Sequence, residues 1–194
     1  MRQTVRDARD PAVGAPTDAW SFALPAGWVR LPTEAGVVYL PTEPVAGMSV
    51  PAAMTEIEIF GEVGRDPIDV ATSALGDGYE ETAPTGLDGR PGVRVARTLR
   101  GTPGEEPHAA AEGTGRSAVT TRQVAYVVSR DDADGDWLVL SFSTTYDAGR
   151  SDGRAEQLAD VLVEFFDAVM TTFRWTGPGA GPVNLPERTI PGSA

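Results

Sequence analysis

The chain has no cysteine and no lysine, and only one histidine, His108. Without cysteine there is no disulfide, no thiolate nucleophile or metal ligand, and no lipid attached through sulfur. Without lysine, the phosphate-binding residue of a P-loop, the Schiff-base amine and the kinase lysine are all excluded. All 16 basic residues are arginine, and they face 28 acidic residues for a net charge of −12. That balance opposes a phosphate backbone or an anionic membrane surface, so no nucleic-acid partner is expected. No apolar run approaches the ~20 residues that span a bilayer, and Met1 to Asp10 lacks the apolar stretch of a secretory signal. The expected location is cytoplasmic, with no integral membrane segment.

What is present describes an ordinary globular domain, with 41% hydrophobic and 23% charged residues in a chain of 194. Residues 1–17 are polar with scattered Pro and Gly, and read as a flexible tail; residues 176–194 read as a second, Pro/Gly-rich one. Between them, residues 18–175 form a single domain. Trp20, Phe22 and Leu24 alternate with small residues, the period of a half-buried strand. Further strands are expected at Trp28 to Leu31, Gly36 to Leu40 and Thr55 to Phe60. Asp66-Pro67 supplies a cap and a first-turn proline for a short helix with the stripe Ile68, Ala71, Ala74 and Leu75.

Asp88-Gly89 marks a tight turn before a strand from Gly92 to Arg100, with Val93 and Val95 on one face and Arg94, Ala96 and Arg100 on the other. Residues 101–118, rich in Gly, Pro, Glu and Ala, read as a mobile loop. Val119 to Ser129 and Trp137 to Thr144 form a hairpin. A closing helix runs from about Gly153 to Phe173, with Leu158, Leu162, Phe165, Val169 and Phe173 inward and Val161, Phe166 and Met170 widening the stripe. Glu156, Asp160, Glu164 and Asp167 form its wet face, a solvated stripe that could also dock a basic partner. The fold class is α+β: a three-layer α/β/α sandwich, with a central, mostly antiparallel sheet of about six strands and a long C-terminal helix.

No motif carries chemistry. Gly149-Arg150-Ser151-Asp152-Gly153 spells G-x-S-x-G, but a hydrolase elbow needs a histidine after the serine, and His108 precedes it. A helix start capped by Ser151 or Asp152 explains the segment better. Gly113-Thr114-Gly115-Arg116-Ser117-Ala118 resembles a dinucleotide fingerprint, yet it precedes a strand instead of opening a helix. Asp132, Asp134 and Asp136 begin like a calcium loop, but Trp137 stands where glycine is needed and Ser143 where glutamate is needed. No catalytic, cofactor-binding or metal-binding residue and no cofactor is expected.

Three local patterns resemble the PsbP-like and DcrB-like superfamily. These are Phe22-Ala23-Leu24-Pro25-Ala26-Gly27-Trp28, the turn Gly86-Leu87-Asp88-Gly89-Arg90-Pro91-Gly92, and the hairpin of residues 119–144 followed by a long helix ending in Thr172-Phe173-Arg174-Trp175. The superfamily includes photosystem subunits, a fungal Ran-binding import factor and mycobacterial LpqN-type lipoproteins; similar actinobacterial proteins accompany type VII (ESX) secretion genes. The resemblance implies an α/β/α sandwich and a non-enzymatic adaptor or chaperone-like role with a protein partner, accessory to type VII secretion. Two alternatives stand beside it: an immunity protein whose acidity neutralises a secreted toxin, and a hydrolase built on dispersed carboxylates. Neither partner identity nor oligomeric state is legible.

Overall fold

A computed structural model describes residues 2–5, 19–24, 26–43, 52–62, 64–101, 119–131, 135–147 and 153–176. The tails beyond residue 5 and beyond residue 176, and most of the expected loop at 101–118, lie outside the described residues. Among the described residues, ten strands and two helices follow in the order β1 (Arg2–Val5), β2 (Ala19–Leu24), β3 (Trp28–Thr33), β4 (Gly36–Pro41), β5 (Ala52–Ile59), α1 (Pro67–Leu75), β6 (Glu81–Leu87), β7 (Arg90–Arg100), β8 (Val119–Asp131), β9 (Asp136–Asp147), α2 (Arg154–Met170) and β10 (Arg174–Thr176).

The main sheet has seven strands in the order β3-β4-β5-β9-β8-β7-β6, and every neighbouring pair is antiparallel. A second, three-stranded sheet orders β1-β2-β10. The expectation of about six strands is therefore too low. Arg2–Val5, inside the expected N-terminal tail, pairs with β2, and Arg174–Thr176 pairs on its other side. These two short strands are mostly polar, and only pairing with the apolar β2 makes them strands.

Period-2 alternation places the core. On one face of the main sheet, Met54, Val124, Val128, Leu138, Leu140 and Phe142 meet Leu162, Phe166, Val169 and Met170 of α2 and Trp20, Phe22 and Leu24 of β2. Each such side chain contributes roughly 1.5–3 kcal/mol when fully removed from water. β2 is buried more deeply than its alternation implies, because Ser21 on its opposite face is also buried. On the other face of the main sheet, Val93, Val95, Ala125, Val127, Trp137 and Val139 meet α1. Both faces are thus covered, and the three-layer sandwich is the architecture.

Local signals set most element ends. Asp66 caps α1 by accepting a hydrogen bond from the Ile68 amide at 2.8 Å, and Pro67 occupies the first turn. The α1 stripe differs from its expectation: Val70 is buried and Ile68 is 41% exposed. Nine residues make only two and a half turns, so sheet contact, not periodicity, selects the buried side. α2 begins after Gly153, with no side-chain cap, in place of a cap from Ser151 or Asp152. It also ends before Phe173, and Val161, expected in the stripe, is 57% exposed.

The turn at Asp88-Gly89 is the joint of the second half. Both residues have positive φ, +50° and +85°, as a two-residue turn of the I′ type demands between Leu87 and Arg90. The Asp88 carboxylate accepts from the Trp175 amide at 2.8 Å, and Trp175 Nε1 donates to the Leu87 carbonyl at 2.9 Å. Arg90 lies 4.1 Å over the Trp175 ring. Three residues on, Gly92 has no room for a side chain, because a Cβ there would stand 2.2 Å from the Val127 carbonyl oxygen. Gly92→Ala is expected to destabilise the domain by more than ~3 kcal/mol, or to abolish soluble folding, since backbone on β8 must move. Urea denaturation against the parent chain measures it, and an unchanged midpoint would contradict this packing.

Candidate interaction surface

Cross-strand register places Arg94 of β7 directly beside Tyr126 of β8, both on the face that carries α2. From α2, Asp167 reaches down to the pair. Arg94 Nε and Nη2 donate to the two Asp167 oxygens at 3.0 and 2.9 Å, and Tyr126 Oη donates to Oδ1 at 2.9 Å. A bidentate, charge-assisted pair of this kind fixes helix position as well as adding energy. Burial, then the Asp167 hydrogen bond, pushes the Tyr126 hydroxyl up to about 12. The Asp167 hydrogen bond also raises Arg94. At neutral pH, Tyr126 is therefore a permanent donor and Arg94 a permanent cation.

Two to three turns towards the start of α2, Arg122 of β8 donates to Thr98 Oγ1 at 2.5 Å and approaches Glu156 at 3.3 Å and Asp160 at 3.5 Å. Glu81, 73% exposed, stands 3.6 Å from Arg94. Between α2 and these strands lies a cleft of about 190 Å³, bounded by Glu80, Glu81, Arg94, Ala96, Arg97, Thr98, Arg122, Gln123, Val124, Asp160 and Val163. Arg97 is tied to Gln123 at 2.7 Å and to the carbonyls of Leu75 and Asp77. Each guanidinium at the cleft thus has protein partners, and three of those partners, Glu81, Glu156 and Asp160, stay more than half exposed.

Asp167 was expected on the wet face with Glu156, Asp160 and Glu164. It instead anchors the helix, because it lies beside Phe166 at the margin of the buried stripe and finds a cation beneath it. Helical spacing alone cannot show that cation; only the β7–β8 register brings Arg94 there. The acidic stripe, which has no arginine ladder along the helix, is compensated from the sheet. Replacing Asp167 with Ala is expected to cost roughly 1–3 kcal/mol, because Arg94 and Tyr126 lose their acceptor in a half-buried setting. It should also lower the Tyr126 pKa towards that of an ordinary phenol. Urea denaturation and spectrophotometric titration of the tyrosines check the two effects together.

A second constellation is buried. Tyr39 Oη donates to Glu56 Oε2 at 2.8 Å, with Glu56 fully enclosed. Two residues along the same face of β5, Glu58 pairs with Arg130 at 2.6 Å, and the Arg130 guanidinium lies 5.0 Å over the Trp20 ring. Burial, then the Glu56 charge, drives the Tyr39 hydroxyl far above its ordinary range. These carboxylates sit inside the sheet's packing and link β4, β5 and β8 to β2.

The motifs of the sequence fall elsewhere. Ser151, His108, Asp132, Asp134 and Gly113 to Ala118 lie outside the described residues. Asp136 opens β9, and its Oδ1 is 3.4 Å from the Gly61 amide. Among the described residues no group of three or more His, Asp or Glu is placed to hold a metal ion. No helix among them is long and apolar enough to cross a membrane.

The architecture defines an α+β domain in which a fully antiparallel sheet lies between two helical layers. No family model and no curated protein matches the chain. Among solved structures, it is similar to LpqN, a protein involved in cell envelope biogenesis of Mycobacterium tuberculosis, at 16% identity and a TM-score of 0.50, covering 90% of this chain and 91% of that one. It also aligns with a mutant of the protein Mog1 at 10% identity and a TM-score of 0.47, covering 90% and 96% of the two chains. The chain shares the fold of LpqN.

Proposed function

We propose that the chain is a PsbP-like, non-enzymatic adaptor or chaperone-like protein, accessory to actinobacterial type VII secretion, that docks a protein partner along α2. The observation carrying this reading is the cleft beside α2. Its arginines are held by the protein's own groups, and the carboxylates that pair with them, Glu81, Glu156 and Asp160, remain more than half exposed at its rim beside the exposed Glu80. At about 190 Å³ it is smaller than the ~300–1,000 Å³ of usual small-molecule pockets, and suits a basic side chain from a partner. The buried Glu56 and the largely covered Glu58 are engaged by Tyr39 and Arg130, an arrangement that favours scaffolding over acid–base work. The shared fold with a protein of cell envelope biogenesis is compatible with an accessory role.

The test is co-purification from the native host at low salt, with quantitative mass spectrometry. A secretion substrate or component is expected with the parent chain and should be lost with the double variant Glu156→Arg, Asp160→Arg. Recovery of no partner, or equal recovery by the variant, would count against the reading. The net charge of −12 and the same acidic surface also favour a second reading, an immunity protein bound to a basic secreted toxin. A toxin-like reading frame beside the gene, and inhibition of its product, would separate the two.

A further inference from the structure

The charges that line the cleft beside α2 cancel in number but not in pairs. Arg94, Arg97 and Arg122 stand against Glu80, Glu81 and Asp160. Asp167 and Glu81 hold Arg94, and Glu156 and Asp160 hold Arg122. Arg97 has neutral acceptors alone: Gln123 Oε1 at 2.7 Å and the carbonyls of Leu75 and Asp77. Glu80 is exposed, with its amide bonded to the Ala96 carbonyl at 2.9 Å. Among the described residues, neither Arg97 nor the Glu80 carboxylate forms an ion pair.

Local structure explains why these two opposite charges do not meet. Arg97 is committed to the carbonyl end of α1, where the helix dipole favours a cation. Glu80 is placed by its amide bond to Ala96, the residue before Arg97. Side chains alternate along β7, so Ala96 packs on the α2 side of the sheet and Arg97 leans towards α1. The cleft therefore wraps the outer edge of β7 where β6 begins, and it carries an unpaired charge of each sign. A guanidinium has five N–H donors, and Arg97 spends three of them on these bonds, so donors remain for an anion.

We infer that the cleft takes a segment of the partner in which a basic and an acidic side chain stand close together. The cation meets Glu80 and the carboxylate meets Arg97. Resting on the docking role proposed for the cleft, this adds an anion to the basic side chain already placed there. A lone cation satisfies Glu80, but it crowds three guanidiniums within about 190 Å³ and leaves Arg97 uncompensated. A lone anion meets the carboxylates of the same lining and the repulsion of a chain of net charge −12. A segment with both signs compensates both unpaired groups and leaves Arg94 and Arg122 the partners they have. The cleft also has the size for side-chain ends and not for a folded element.

Titration of the isotope-labelled full chain with the peptide acetyl-Arg-Ala-Glu-amide, up to about 20 mM at low salt, tests it by NMR. Saturable shifts of the Glu80 amide and the Arg97 Nε–H are expected, with a Kd in the millimolar range. Acetyl-Arg-Ala-Gln-amide and acetyl-Gln-Ala-Glu-amide should each bind at least about threefold more weakly, the scale of one exposed ion pair. Glu80→Gln should weaken the doubly charged peptide by a similar factor and leave the thermal midpoint unchanged, because Glu80 is exposed. Equal binding of acetyl-Arg-Ala-Gln-amide overturns the paired-charge inference while leaving the docking of a basic side chain intact. Equal binding of acetyl-Gln-Ala-Glu-amide overturns both. Shifts with none of the three peptides also overturn the inference, and co-purification from the host then decides the docking role alone.

Discussion

Phe166→Ala is expected to cost about 3–5 kcal/mol, a large part of the stability of a domain this size. Phe166 is fully buried on the inner face of α2. It stacks on Phe142 at 5.5 Å and meets the edge of Tyr126 at 5.8 Å, so it joins the helix to the two central strands of the sheet. Truncation removes these contacts and leaves a void between α2, β8 and β9 that neighbouring aromatics cannot fill without leaving their rotamers. Urea denaturation followed by tryptophan fluorescence measures the change, and Val161→Ala, at a position 57% exposed on the same helix, is its control. A loss of under ~1 kcal/mol for Phe166→Ala would mean that α2 is not seated as described.

The second large effect is alkaline. With no lysine in the chain, the four tyrosines are the side chains that titrate between about pH 9 and 12, while arginine stays charged. All four, Tyr39, Tyr79, Tyr126 and Tyr146, are raised in the folded state, in each case mainly by burial. The unfolded phenol loses its proton near pH 10, while folded Tyr126 holds it to about 12. Below pH 10 the contribution is fully present. As pH climbs through the interval the unfolded chain alone ionises, and stability falls. Tyr126 accounts for a loss on the order of 1–2 kcal/mol, discounted for its partial solvation, and the other three add to it. Urea midpoints should fall steadily above pH 10, and tyrosinate absorbance should rise together with unfolding. Tyr126→Phe should flatten part of the slope. A midpoint constant from pH 9 to 12 would refute the burial of these hydroxyls.

Both effects depend on positions that differ in how far the sequence betrays them. Phe166 is legible, because it lies within the helical stripe with Leu162, Val169 and Met170. The hairpin of β8 and β9, the Asp66-Pro67 helix start and the Asp88-Gly89 turn are legible for a similar reason: each depends on near neighbours in the chain. The cleft is not. Arg94, Tyr126 and Asp167 are 73 residues apart at the extremes, and no local periodicity relates them. The pairing of Glu58 with Arg130 spans 72 residues and is hidden for the same cause. β1 and β10 lack an apolar alternation of their own and exist as strands through β2.

Composition alone determined which side chains are absent: no thiol, no lysine amine and no histidine cluster. Periodicity determined that strands and two amphipathic helices form a layered domain. Tertiary structure alone decided which carboxylates are held and which are exposed, turning Asp167 into an anchor and leaving Glu81 73% exposed at the edge of the same arginine. The physical reason is one of range: backbone preference and amphipathic period act over a few residues, whereas ion pairing and the coverage of a sheet are set by register between strands distant in the chain.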